Sequence, residues 1–150
     1  MPAFAPEVTV RFFKFCLILS LFALSTTTAS LADDYKAVSN TAMSVTGDIS
    51  MDDFSITFET GDELSFSNLV ADHFIVDGER VPASVYRVGD PSDPELLNGN
   101  RLCGSGPVTY VVNWSAGDGL SAIAVFTGRH APKRSDEMCA SYTFEEGTED

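Results

Sequence analysis

Two stretches decide the fold: Pro107-Val108-Thr109-Tyr110-Val111-Val112-Asn113-Trp114 and, beyond Ser115 to Gly119, Leu120-Ser121-Ala122-Ile123-Ala124-Val125-Phe126-Thr127. The first is rich in β-branched and aromatic residues, which suit a pleated and packed surface. The second is apolar at nearly every position, as in a strand covered on both faces rather than on one. A short Gly-containing connection between two such runs predicts a central hairpin.

The segments before this hairpin follow a two-residue period. Met43, Val45, Ile49 and Met51 share one parity, and Phe54, Ile56 and Phe58 alternate with Ser55, Thr57 and Glu59. Both read as half-buried strands. Gly61-Asp62 supplies a turn, after which Leu64 and Phe66 alternate with Ser65 and Ser67. Asp77-Gly78 separates Phe74-Ile75-Val76 from Arg80-Val81 and signals a tight hairpin, because Gly accepts the positive φ that such turns need. Ala83 to Val88 continues as a strand, with Pro82 predicting an edge or a bulge. Gly89 to Glu95 contains two prolines and several turn formers, so it predicts a surface loop. The one helical feature expected is a short turn around Leu69 to His73. Cys139 opens a last strand with Tyr142 and Phe144. Asp33 to Asn40 is polar and without period, and Glu145 to Asp150 is acidic; both predict frayed ends. Short strands at intervals of about ten residues predict an all-β fold, a small antiparallel β-sandwich or barrel, with residues 33–150 forming a single domain.

Residues 1–32 read as a cleavable signal peptide. Arg11 and Lys14 precede the apolar run Phe15 to Leu24, and small polar residues follow as far as Ser30 and Ala32, which places the cut before Asp33. The apolar run falls short of the roughly 20 residues that span a bilayer, so no stable membrane anchor is expected. The location this implies is periplasmic or secreted. After cleavage only Cys103 and Cys139 remain, and an even count in an oxidising compartment predicts a disulfide. Closing that loop is worth roughly 3 to 4 kcal/mol in the chain-entropy view. It would tie the segment before the first decisive strand to the start of the last one. A bridged pair also leaves no free thiol as nucleophile.

The chain carries a formal charge of −13; two cations and one anion leave with residues 1–32, which makes it −14. Nucleic-acid binding is excluded as an expectation, since it needs clustered Lys and Arg to displace counterions. The same charge favours a basic protein partner. Arg129, Lys133 and Arg134 form a small basic patch on this acidic background.

No catalytic residues are assigned. Serine chemistry needs a positioned base, His73 and His130 are the only histidines, and there is no G-x-S-x-G elbow. Two acidic groups, Asp48 with Asp52 and Asp53, and Asp90 with Asp93 and Glu95, offer oxygen ligands of the kind calcium takes. Asp90, Asp93 and Glu95 are the calcium alternative, although neither group has the D-x-D-x-D-G spacing and solvated turns explain both. No cofactor is expected. Asn113-Trp114-Ser115 matches the glycosylation sequon at a strand end.

Along Ala83 to Val88, Leu96 to Cys103, Pro107 to Tyr110 and Ala124 to Phe126, the chain resembles a group of short exported proteins of Gram-negative bacteria. That group carries no assigned activity, so the resemblance implies only a bacterial, periplasmic setting. Ser105-Gly106-Pro107-Val108-Thr109-Tyr110 is similar to the Ser-Gly-x-x-Tyr loop of periplasmic inhibitors of C-type lysozyme, with one residue more before the Tyr. Asn98, Asn100, Arg101, Ser105 and Tyr110 are therefore the candidate partner contacts. The expected function is a non-enzymatic binding or accessory domain for an unknown protein or small ligand. The alternatives are an inhibitor of a basic hydrolase such as lysozyme and, last, a small hydrolase.

Overall fold

The computed structural model describes residues 31–147. The proposed signal peptide, but for Leu31 and Ala32, lies outside the described residues, as does the end of the acidic tail. Eight strands, β1 (Asp33–Ala37), β2 (Ile49–Met51), β3 (Ser55–Phe58), β4 (Glu63–Val76), β5 (Glu79–Ser92), β6 (Val108–Gly117), β7 (Leu120–Phe126) and β8 (Ala140–Glu146), pair in sequence order. All pairings are antiparallel, and β1 joins β8 to close a barrel. The expected choice between sandwich and barrel falls to the barrel.

Closure rests on the segment expected to fray. Tyr35 pairs with Ile49 of β2 on one side and Glu146 of β8 on the other, and Ala37 pairs with Phe144. Only Tyr35 and Ala37 of this strand turn apolar atoms inward, which is why its polarity hid it. Two other expectations are corrected. Ala42–Thr46 is a wide helical turn and not a strand, closed by the Gly47 N–H on the Ala42 carbonyl at 2.8 Å. Gly47 has φ +62°, and a Cβ there would collide with the Glu59 carboxylate, so glycine is required on both counts. Leu69 to His73 is extended within β4, and Gly89 to Ser92 extends β5.

An eight-stranded barrel is just wide enough for its own side chains to fill. Ile49, Met51, Ile56, Phe58, Leu64, Val88, Val111, Ile123, Val125, Tyr142 and Phe144 do so, all buried. A second core lies outside the barrel. The β4–β5 hairpin is 14 residues on each arm, turns at Asp77 and Gly78 with φ +50° and +85°, and shows three register shifts along its length. Such bulges bend a ribbon. Its far half folds over the outer face of β6 and β7, where Phe74 and Val85 meet Tyr110, Val112, Trp114, Ala124 and Phe126. The expectation that β7 is covered on both faces is met in this way.

The Cys103–Cys139 disulfide is formed, with Cα atoms 5.6 Å apart. Among the described residues, helical geometry is confined to residues 40–46, which include the wide turn Ala42–Thr46, and the single turns Leu97–Gly99 and Ser135–Glu137.

Candidate functional site

The two ends of the barrel differ. One end is plugged. Residues 93–106 loop across it, with buried Leu96 and Leu102 pointing into the interior cluster. Asp93 organises this loop: its two carboxylate oxygens accept the N–H groups of Cys103 and Gly104, each at 2.8 Å. Arg101 donates to the Asp93 carbonyl at 2.9 Å and pairs with Glu95 at 3.5 Å. Asn98 and Asn100 both donate to the Ser44 carbonyl, at 3.1 and 3.0 Å, latching the loop to the Ala42–Thr46 turn. Tyr142 donates its hydroxyl to the Leu102 carbonyl from inside the barrel. Burial, with a contribution from Asp93, pushes the Tyr142 phenol up to about 12.

Four of the five candidate contacts, Asn98, Asn100, Arg101 and Ser105, therefore lie together on this plug. Each already has a partner within the chain, Ser105 facing the Cys103 sulfur at 3.1 Å. Tyr110 is corrected: it is 1 % exposed, within the outer core, beneath the Arg87 guanidinium at 5.2 Å from its ring centre. Two residues of the calcium alternative, Asp93 and Glu95, are likewise engaged within the chain. Asp93 spends its carboxylate on backbone N–H groups and Glu95 faces Arg101, and among the described residues no three His, Cys, Asp or Glu side chains gather at metal-binding distance. Asp48, of the other acidic group, accepts the Ala37 N–H at 2.8 Å and so fastens β1.

The other end is an open, polar mouth enclosing a cavity of about 150 Å³, lined by Asp33, Tyr35, Met51, Asp52, Asp53, Ser84, Tyr86 and Asn113. Four strands, β1, β2, β5 and β6, and the β2–β3 turn contribute to it. The inward alternation that places Ile49 and Val111 in the core places Met51 and Asn113 one step further along, at the rim. Tyr86 donates to Asp53 Oδ1 at 2.7 Å and stacks on Phe66 with ring centres 4.5 Å apart. Asp52 Oδ1 accepts the N–H groups of Phe54 and Ser55 at 2.7 and 2.9 Å, fixing the turn that carries Asp53. The Asn113 amide reaches the Met51 sulfur at 3.7 Å. Its placement inside the mouth also keeps the sequon away from the outer surface.

The mouth is electrostatically one-sided. Burial and the hydrogen bond to Asp53 push the Tyr86 phenol up to about 12. Burial, then the carboxylates of Asp33 and Glu146, raise Tyr35, with the Asn113 amide offsetting part of the effect. Glu146 itself accepts from Ser121 at 2.8 Å. A second depression of about 390 Å³ adjoins the mouth, sharing Asp33 and Tyr35 and running past Glu146 to Leu31 and Ala32.

Asp52 and Asp53 were visible in the sequence as part of an acidic cluster and Asn113 as a sequon. Tyr35 was hidden in a segment read as frayed, and Tyr86 carried no signal beyond strand alternation. The histidines lie apart from this end. His73 Nδ1 faces Asp72 at 3.0 Å on the exposed surface, holding that carboxyl below its usual range, and His130 is exposed in the polar loop. Among the described residues no helix is long and apolar enough to cross a membrane. No protein-family model matches the chain, and neither a curated protein nor a solved structure does.

Proposed function

We propose that this chain is a non-enzymatic binding domain, exported to the periplasm or beyond the cell, that engages its ligand or partner at the open mouth of the barrel. The observation that carries this reading is the contrast between the ends. The plug satisfies its polar groups internally, whereas the mouth gathers tyrosine, asparagine, serine and carboxylate side chains around unfilled space. Ligand sites in small barrels favour such mouths, with a few placed polar groups on an otherwise fixed scaffold. The bridge between Cys103 and Cys139 supports an oxidising compartment.

The test is a screen of neutral and charged small molecules and proteins against the isotope-labelled protein by NMR. Binding is expected to move the Asn113 side-chain amide and the Tyr35 and Tyr86 backbone signals first. Ligands that move only the plug, residues 93–106, would transfer the site to the other end. Fractionation of cells expressing the gene from its own leader tests the location, and the protein is expected outside the cytoplasm with a free N-terminus at Asp33.

Inhibition of a basic hydrolase is the second reading. The net charge of −13 favours it. Capture of lysozyme that persists at low salt and weakens at high salt is expected on that reading, and absence of inhibition would remove it.

A further inference from the structure

We infer that the mouth receives the side chain of a lysine or arginine projecting from a basic protein partner. This inference rests on the binding reading and adds to it the chemistry of the occupant. Three carboxylates, Asp33, Asp52 and Asp53, line the cavity and no Lys, Arg or His does. An anion would be repelled by every charge it met, whereas a cation would be attracted by all three. Two of the three carboxylates are also held in place beforehand. Asp52 is fixed by two backbone N–H groups and Asp53 by Tyr86, each through Oδ1, and among the described residues Oδ2 of neither takes a hydrogen bond. Groups fixed in advance lose little freedom on binding.

The walls fit the same occupant. Tyr35 and Tyr86 offer aromatic rings, whose faces attract ammonium and guanidinium groups. Met51 offers a polarisable apolar surface for the aliphatic stem. The volume of about 150 Å³ is below the roughly 300 to 1,000 Å³ of drug-sized sites, and suits the end of one long side chain.

The surface beside the mouth points to a protein rather than a free amine. Phe54, directly after Asp53, is 66 % exposed, and Leu69, paired with Tyr86, is 54 % exposed. A small amine would leave both in water. A protein whose basic side chain entered the mouth would cover them, giving an aromatic and aliphatic contact beside a charged anchor, the combination that dominates interface energetics.

The experiment uses the purified protein with three probes: lysozyme as a folded basic protein, n-butylamine as the free cation, and n-butanol as its neutral counterpart. Affinities are measured by calorimetry, with the Asn113 side-chain amide as the NMR reporter. Lysozyme is expected to shift Asn113, and butylamine to do so far more weakly. Asp33→Asn with Asp53→Asn is expected to weaken lysozyme about tenfold or more, and Phe54→Ser several-fold. Asp62→Asn with Asp90→Asn removes the same charge at the plugged end, in the β3–β4 turn and near the end of β5, and is expected to change the affinity less than about twofold. Equal loss in that control pair would reduce the interaction to general charge and overturn the inference. Butylamine binding as tightly as lysozyme would replace the protein by a free cation. Butanol moving Asn113 while neither cation does would end the cation inference and leave the binding reading standing. No movement of Asn113 with any probe overturns the inference as well.

Discussion

Inside the barrel, all eight strands contribute alternate residues to one buried cluster; outside it, four strands build a second, from Phe74 on the bent hairpin to Phe126 on β7. The interior is a product of closure, since each inward residue is enclosed once β1 meets β8. The outer core is a product of length. β4 and β5 run well past what the barrel wall needs, and the surplus covers Val112, Trp114, Ala122 and Ala124, which would otherwise be an exposed apolar stripe. Phe74 anchors it, with ring centres 5.6 Å from Trp114 and 5.8 Å from Phe126. The main chain adds one tie, the Ile75 N–H to the Lys133 carbonyl at 3.0 Å. Closure makes a core that all strands share, while a folded-over hairpin makes one that a single element can leave.

The largest expected effect comes from breaking the interior. Phe144→Ala removes a fully buried ring beside the closing β1–β8 pair and is expected to cost about 3 to 5 kcal/mol, lowering the urea midpoint for every probe together. Removing the bridge, with Cys103→Ser and Cys139→Ser, is expected to cost about 4 kcal/mol, because the loss of a 36-residue closed loop frees the unfolded chain. Both cores should weaken equally in that variant. A loss confined to the plug would mean that the bridge acts on the native loop instead.

Phe74→Ala separates the two cores, at about 3 kcal/mol. Trp114 is the only tryptophan and sits in the outer core, so its emission reports the hairpin. The expected result is a red shift and faster amide exchange at residues 70–82 under conditions where the β1–β8 amides stay protected. Simultaneous loss of both signals would show one cooperative unit and remove the distinction.

The same contrast explains what the sequence could and could not reveal. β6 and β7 were legible because both cores draw on them, which leaves almost no polar position from Leu120 to Phe126. The Asp77-Gly78 turn and the bridge were legible from local chemistry alone. β1 was not, because Asp33 faces the mouth, where a carboxylate is tolerated, and Asp34 and Lys36 face outward. Leu69 to His73 reads as a turn and not as a strand because the register shifts between Phe66 and His73 change which residues face inward, so no constant period survives. Met43 and Val45 alternated like a strand, yet Ala42 and Thr46, four apart, are the residues that bury. Asp52, Asp53 and Asn113 stand out singly in the sequence, but nothing there joins them into one mouth: its lining comes from strands scattered between Asp33 and Asn113, and only closure brings them together.

The smallest effect is expected at that mouth. Tyr86→Phe removes one hydroxyl, together with its bond to Asp53, at about 1 kcal/mol near neutral pH. Its pH dependence is more telling. An ordinary phenol titrates near 10, and folding holds those of Tyr86 and Tyr142 at about 12. The neutral form is thus favoured in the folded state, and the stability this contributes is fully present below pH 10 and is lost as the pH climbs towards 12. Urea midpoints measured across that window should fall in the parent protein and fall less steeply in Tyr86→Phe, at the open end, and in Tyr142→Phe, at the plugged one. In the double variant the two reductions should add, since the tyrosines hold opposite ends of the barrel and share no hydrogen-bond partner. An unchanged slope in Tyr86→Phe alone would mean that water already reaches its hydroxyl, and that the mouth is wider in solution than a 150 Å³ cavity.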